Sequence, residues 1–224
     1  MSLFASLAGR RLSRASVSMP YYGCWLADVE SEEDLSSATG IVSLVLGTLT
    51  LRGTIVTRGE FAGDRRARVV AGAGGWRVDV PALGYSNAAG VRAATVLGDL
   101  AALVGETIAG VSATTTLGPH YARPSGPAAS TLRDIAGPSW YVDAAGVTQV
   151  GARPTSAIPS ATTVVARDPA TGLVTVATEA PGDWLPGRTF ATVTTPVSSV
   201  RYTRLTSDNS GKLRVDVLAT EVAA

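Results

Sequence analysis

Apolar residues along this 224-residue chain alternate with polar ones more often than they recur at helical spacing, and the first long block predicts strands. Within residues 21–81, YYGCWLADVE reads as a strand, and a polar, acidic loop follows over residues 31–39. IVSLVLGTLTLRGTIVTRG then supplies a long extended run. Before Gly47 its apolar residues fill both phases, Ile41 and Val45 in one and Val42, Leu44 and Leu46 in the other, which predicts a strand buried on two faces. Gly47 and Gly53 are expected to mark a bend or bulge, as at the corner of a small barrel. ARVVAGAGGWRVDVP closes the block as an expected hairpin with its glycines at the tip.

Two stretches change period. In GVRAATVLGDLAALVG, residues 90–105, Val96, Leu97, Leu100, Leu103 and Val104 recur at spacings of three and four and predict one apolar helical stripe. Ser86 or Asn87 is the expected cap and Gly105 the stop, while Gly98 inside suggests close packing against another backbone. A second, shorter helix is expected over residues 127–136, with Pro127 in its first turn and Gly137-Pro138 ending it. Between the two, TIAGVSATTTLGPHYARPSG reads as an extended connector.

Hairpins dominate the remainder. Trp140 and Val142 lead to the turn Asp143-Ala-Ala-Gly146, with Val147 to Val150 returning; VVARDPATGLVTVA, residues 164–177, is the second. VSSVRYTRLTSDNSGKLRVDVLATE is the third, with Leu213, Val215 and Val217 expected opposite Lys212, Arg214 and Asp216. Pro-rich joints at 153–159 and 181–187 separate them. At the other end, Leu3, Phe4, Leu7 and Leu12 fit one side of a short amphipathic helix with Arg10, Arg11 and Arg14 near the other, either a frayed terminus or an arm that orders against a neighbouring subunit.

Composition agrees with a mainly β fold carrying two or three short helices, built as small antiparallel barrel or sandwich domains. Hydrophobic content of 46% is enough for a core, aromatics are only 6%, and 24 Gly with 12 Pro supply many turns. The expected division is an arm over 1–20, an antiparallel β domain over 21–84, a helical connector over 85–137 and a β-hairpin domain over 138–224. A net charge of +1 exerts no general pull on nucleic acid or anionic lipid. Of 19 basic residues all but Lys212 are Arg, which suits GC-rich coding and also surfaces that pack against other chains. The opening residues lack the order of a secretory leader, and no apolar run is long enough for a membrane span, so a soluble protein made in a cytoplasm is expected.

Residues with possible chemistry read as structural. Cys24 stands alone, which excludes an intrachain disulfide and a Cys-rich zinc site, and it is expected as a small core hydrophobe. The glycines of AGAGGW, residues 71–76, invite a phosphate loop, but no Gly-Lys-Ser/Thr follows and Trp76 to Pro81 is expected to continue as a strand rather than a helix. His120 is the sole histidine, lies in LGPHYARP without a Gly-x-Ser-x-Gly elbow elsewhere, and reads as a loop residue. Glu30, Glu32, Glu33 and Asp34 crowd one polar loop without the alternation a calcium loop uses. Asp143, Asp168 and Asp208 sit at turns, where a short carboxylate caps backbone N–H groups. Arg65, Arg66 and Arg68, with Phe61 nearby and Asp64 adjacent, suit a solvated or interface-pairing strand better than nucleic acid. No catalytic, cofactor or metal residue is assigned.

The order of elements carries a resemblance. Helices over 91–104 and 127–136, then Trp140-Tyr-Val-Asp143 with Gly146 and Val150-Gly151, Asp168-Pro-Ala-Thr-Gly172 with Val174 and Val176, Pro186-Gly187 and the terminal hairpin resemble the tail hub, or baseplate hub, proteins of contractile-tailed phages and related injection machines. The resemblance covers residues 85–218 and rests on element order rather than on specific motifs. It implies a structural, non-enzymatic ring protein between tail tube and central spike, trimeric, in the tail baseplate of a virion assembled in a host cytoplasm. Its implied partners are other copies of itself and tube, spike and baseplate wedge proteins. Exposed edges of an antiparallel sheet favour such a closed ring, because subunit contacts hide them. Two alternatives remain: a glycan- or receptor-binding β module, which needs an exposed platform among Trp25, Trp76, Trp140 and Trp184, and a cell-wall hydrolase, which needs two carboxylates facing across a cleft.

Overall fold

The computed structural model describes residues 5–61, 63–158, 163–168, 170–178 and 180–189, and the backbone of 199–204 and 213–218. The chain begins with β1 (Ala5–Leu7), β2 (Arg10–Arg11), β3 (Arg14–Pro20), β4 (Leu26–Ser31), β5 (Ile41–Leu46), β6 (Leu49–Phe61) and β7 (Asp64–Ala71). A 3-10 turn at Gly75–Arg77 precedes β8 (Asp79–Val80), β9 (Leu83–Ser86) and helix α1 (Ala93–Leu103). Next come β10 (Ile108–Ala109), β11 (His120–Arg123), β12 (Gly126–Pro127) and helix α2 (Ala128–Ala136). The rest is β13 (Trp140–Val142), β14 (Thr148–Val150), β15 (Ser156–Ala157), β16 (Thr163–Asp168), β17 (Leu173–Thr178), β18 (Arg188–Thr189), β19 (Ser199–Arg204) and β20 (Leu213–Leu218).

One eleven-stranded sheet dominates, in the order β16-β17-β20-β19-β3-β4-β7-β6-β5-β1-β2. Its neighbours pair antiparallel throughout. Among the described residues β16 and β2 remain its two ends, so it does not close into a barrel. A three-stranded sheet, β10-β14-β13, and three two-stranded pairs complete a mainly β fold with two α-helices.

Residues 5–20 are not helical. Strands β1 to β3 bury Ala5 and Leu7, then Ala15, Val17 and Met19, at every second position, while Ser16 and Ser18 point away. Between β1 and β2, Ala8 (φ 50) and Gly9 (φ 80) make a tight two-residue turn with both φ values positive, the geometry that matches the twist of paired strands. β3 then pairs with β4 on one side and β19 on the other, so partner strands decide the conformation of this segment.

β5 buries one face only: Val42, Leu44 and Leu46 are inside and Ile41 is half exposed. Gly47, at φ 57, belongs to the turn into β6, and the irregularity of β6 lies between Ile55 and Thr57. Gly53 instead permits a close approach, since a Cβ there would lie 2.6 Å from the Trp25 indole and 2.3 Å from the Val70 carbonyl. The hairpin expected around residues 71–76 is absent. β7 ends at Ala71, the chain turns through Gly72–Gly74, and β8 pairs with β12 rather than with β7.

Helix α1 buries Ala93, Val96, Leu97, Leu100 and Ala101, whereas Leu103 is 56% exposed. Its first N–H donates to the Thr115 carbonyl at 3.0 Å. The residue before it, Arg92, is extended; Asn87 shapes the preceding turn by accepting from the Ala89 N–H at 2.9 Å. Gly105 stops the helix at φ 72 as expected, but the space beside Gly98 is open, and a methyl group there would meet nothing within 4 Å. Helix α2 follows Pro127 and ends at Gly137, φ 68. The hairpins over 140–150 and 163–178 and the pairing of β19 with β20 stand as expected. The facing of side chains around Leu213, with Lys212 and Asp208, lies outside the described residues.

Candidate functional site

The glycine loop does hold an anion, and that anion is the chain's own Glu106. Leaving α1, the chain turns at Gly105, and the Glu106 N–H returns to the Ala101 carbonyl at 2.8 Å, which points the carboxylate back at residues 72–76. Oε1 accepts from the Gly75 N–H at 2.6 Å and Oε2 from the Ala73 N–H at 3.1 Å. Successive backbone N–H groups in such a concave turn form an anion nest. The glycines are required by contact as well as by backbone conformation. A Cβ on Gly75 would lie 2.0 Å from the Val104 carbonyl oxygen, and one on Gly72 (φ 65) would lie 2.5 Å from the Glu106 carboxylate. Glu106 is 8% exposed. Burial pushes its carboxyl above the ordinary value, and the N–H groups of Gly75, Ala73, Trp76 and Gly74 pull it part of the way back. Cys24, packed against the core nearby, has its thiol pushed up to about 12 by burial and then by the Glu106 charge, so it is an inert hydrophobe. Sequence alone does not single out Glu106, because the loop it fills lies some thirty residues earlier in the chain.

Arg66 and Arg68 of β7 lie on the outer face of the large sheet. An open groove of about 650 Å³ there is lined by Arg14, Asp28, Glu30, Arg58, Arg66 and Arg68 among others. Register sets its pattern: Arg14, Glu30, Arg66 and Gly59 form one row across four strands, and Ser16, Asp28, Arg68 and Thr57 the next. Glu30 meets Arg66 at 3.2 Å, and Asp28 receives two N–H groups of Arg68 at 2.8 and 3.2 Å. Arg65 turns instead to the Glu32 carbonyl at 2.7 Å. The basic group is therefore a cross-strand ion-pair lattice. The Phe61 side chain lies outside those described.

The acidic loop is tied up locally. Asp34 accepts from the Ser36 hydroxyl at 2.6 Å and the Ser36 N–H at 2.8 Å, bonds that hold its carboxyl below the ordinary value. Glu33 accepts from the Arg11 N–H at 3.3 Å. Among the described residues no three His, Cys, Asp or Glu converge as metal ligands. Asp143 and Asp168 act as turn residues: the first accepts from the Val147 N–H at 2.9 Å and the second from the Thr171 hydroxyl at 2.7 Å. His120 is exposed on β11, where its Nδ1 meets the cross-strand Ser86 hydroxyl at 3.1 Å. The indoles of Trp25, Trp76, Trp140 and Trp184 are all buried, at 1%, 3%, 8% and 1% exposure. Trp76 donates to the Thr148 hydroxyl at 2.7 Å and sits 6.4 Å from the Trp140 ring.

Among the described residues the β16 edge of the large sheet is left without a partner strand. Strand β16 ends the large sheet, and all six of its residues are exposed, including the adjacent Val164 and Val165 at 39% and 51%. The pairing of β16 with β17 slips between Val164 and Ala166, which leaves Val165 as a bulge residue, and among the described residues no strand pairs with the outer edge of β16. The other end, β2, is two residues long and presents Arg10 and Arg11, and the Arg11 N–H is already given to Glu33.

No family model matches the chain, and no curated protein matches it in sequence. Solved structures do match in fold. The 43 kDa tail protein of prophage MuSo2 from Shewanella oneidensis superposes with a TM-score of 0.60 at 10% identity, over 97% of this chain and 98% of that one. The Escherichia coli c3393 protein, a type VI secretion component described as structurally similar to the T4 bacteriophage tail proteins gp27 and gp5, gives 0.60 at 8% identity, over 97% of this chain and 75% of its own. The eleven-stranded sheet, the two helices and the small hairpin sheets together make up a fold found in a phage tail protein and in a secretion-system component.

Proposed function

We propose that this protein is a structural part of a phage-tail-type injection apparatus: a hub-like ring protein of the baseplate that links the tail tube to the central spike. The observation that carries this reading is the shared fold over 97% of the chain with a prophage tail protein. Its partners in this reading are further copies of itself, three to a ring, together with tube, spike and baseplate proteins of the virion. It acts by rigid packing and carries no catalytic centre. The β16 edge supports an assembly role, since a six-residue end strand with Val164 and Val165 exposed suits cover by another chain.

The alternatives lose their requirements. A glycan platform needs exposed indoles, and all four are inside. A hydrolase needs carboxylates opposed across a cleft; the acids of the groove, Asp28 and Glu30, stand on one strand, each engaged by an arginine. Size-exclusion chromatography with light scattering tests the proposal. The expected species has about three times the 22.8 kDa chain mass, and a clean monomer at micromolar concentration overturns the ring.

A further inference from the structure

At Arg123 the fold buries a charge with no ion-pair partner among the described residues. Strands β9 and β11 form an antiparallel ribbon in which Tyr85 lies opposite Tyr121 and Leu83 opposite Arg123. Directly opposed residues, and those two apart, share one face of a ribbon, so Tyr85, Tyr121 and Arg123 project to the same side. Arg123 is only 2% exposed. Its Nη2 donates to the Pro81 carbonyl at 3.0 Å, while its buried Nε has no hydrogen-bond partner among the described residues. The Tyr85 hydroxyl, likewise buried, has none either. The two tyrosine rings stand 6.4 Å apart, and both phenols feel the arginine charge. Asp99 of α1 and Asp134 of α2 act on Tyr85 and Tyr121 respectively, yet both are exposed and neither forms an ion pair with Arg123 among the described residues.

A guanidinium this deep is costly unless an anion meets it, and the two unsatisfied groups, an N–H and an O–H, are both free to donate. Water can accept from them but brings no charge. We propose that Arg123 and Tyr85, flanked by Tyr121, form a site for a small oxyanion, a carboxylate or phosphate group, entered beside the partly exposed tyrosine rings. This goes beyond the tail-assembly reading and does not depend on it.

Thermal unfolding of the full chain in phosphate, acetate and chloride at matched ionic strength tests the site. Phosphate or acetate is expected to raise the transition saturably while chloride does not, and the stronger of the two identifies the ligand as tetrahedral or carboxylate. Tyr85→Phe removes only the hydroxyl and is expected to weaken the anion's apparent affinity about tenfold; Arg123→Gln is expected to abolish the response. A wild-type transition that moves alike in all three salts overturns the site. An undiminished anion response in Tyr85→Phe overturns it equally, and that variant keeps the test decisive if Arg123→Gln fails to fold.

Discussion

At the residue scale the decisive group is Glu106, a carboxylate used as internal mortar. Its native proton affinity is raised by burial despite the surrounding N–H groups. A raised acid stabilises the fold fully when pH is below its unfolded value near 4.5, and the contribution is lost as pH rises through the native value. Denaturant unfolding of wild type and Glu106→Gln between pH 4 and 8 is therefore expected to diverge, wild type losing stability relative to the variant as pH increases. A flat difference would contradict the assignment. The exposed Asp34 and Asp168, held low by the hydroxyls of Ser36 and Thr171, act with the opposite sign in both proteins and cancel in the comparison. The loop around the carboxylate is equally constrained. Gly75→Ala places a methyl against the backbone oxygen of Val104, which cannot swing aside as a side chain can, so a loss of about 2–3 kcal/mol is expected in the same unfolding measurement.

At the scale of elements, what could be read from sequence was whatever local period and punctuation decide. Both helices were legible because Val96, Leu97 and Leu100 keep one stripe and Gly105 and Gly137 stop the chain. The 140–150 hairpin was legible because Asp143 and Gly146 define its turn. Residues 5–20 misled because Leu3, Phe4, Leu7 and Leu12 fit a helical stripe in the sequence; the pairing of β1 with β5 and of β3 with β4 and the distant β19 decides instead. The glycine run was misplaced as a hairpin tip because its partner is a single carboxylate beyond the next helix. Gly98 went wrong for a related reason: its neighbours do not crowd it. Since that position is helical and open, Gly98→Ala is expected to raise stability by about 0.5–1 kcal/mol through backbone entropy alone, a shift visible in the melting temperature.

At the scale of the whole molecule, the two ends of the large sheet differ sharply. One end is short, charged and partly satisfied by Glu33; the other, β16, is six residues long and exposes Val164 and the bulged Val165. Burying such an edge returns apolar area and main-chain hydrogen bonds together, while a charge placed on it is a standard barrier to strand addition. Val165→Lys should leave the folded chain intact, because the side chain is already half in water and stands apart from the hydrophobic core, and its circular dichroism should match wild type. If β16 is the assembly edge, light scattering will show the variant at monomer mass under conditions where wild type associates. A variant that associates as wild type does would move the contact elsewhere on the sheet without touching the tail-component reading, whereas a wild-type monomer would remove the ring itself.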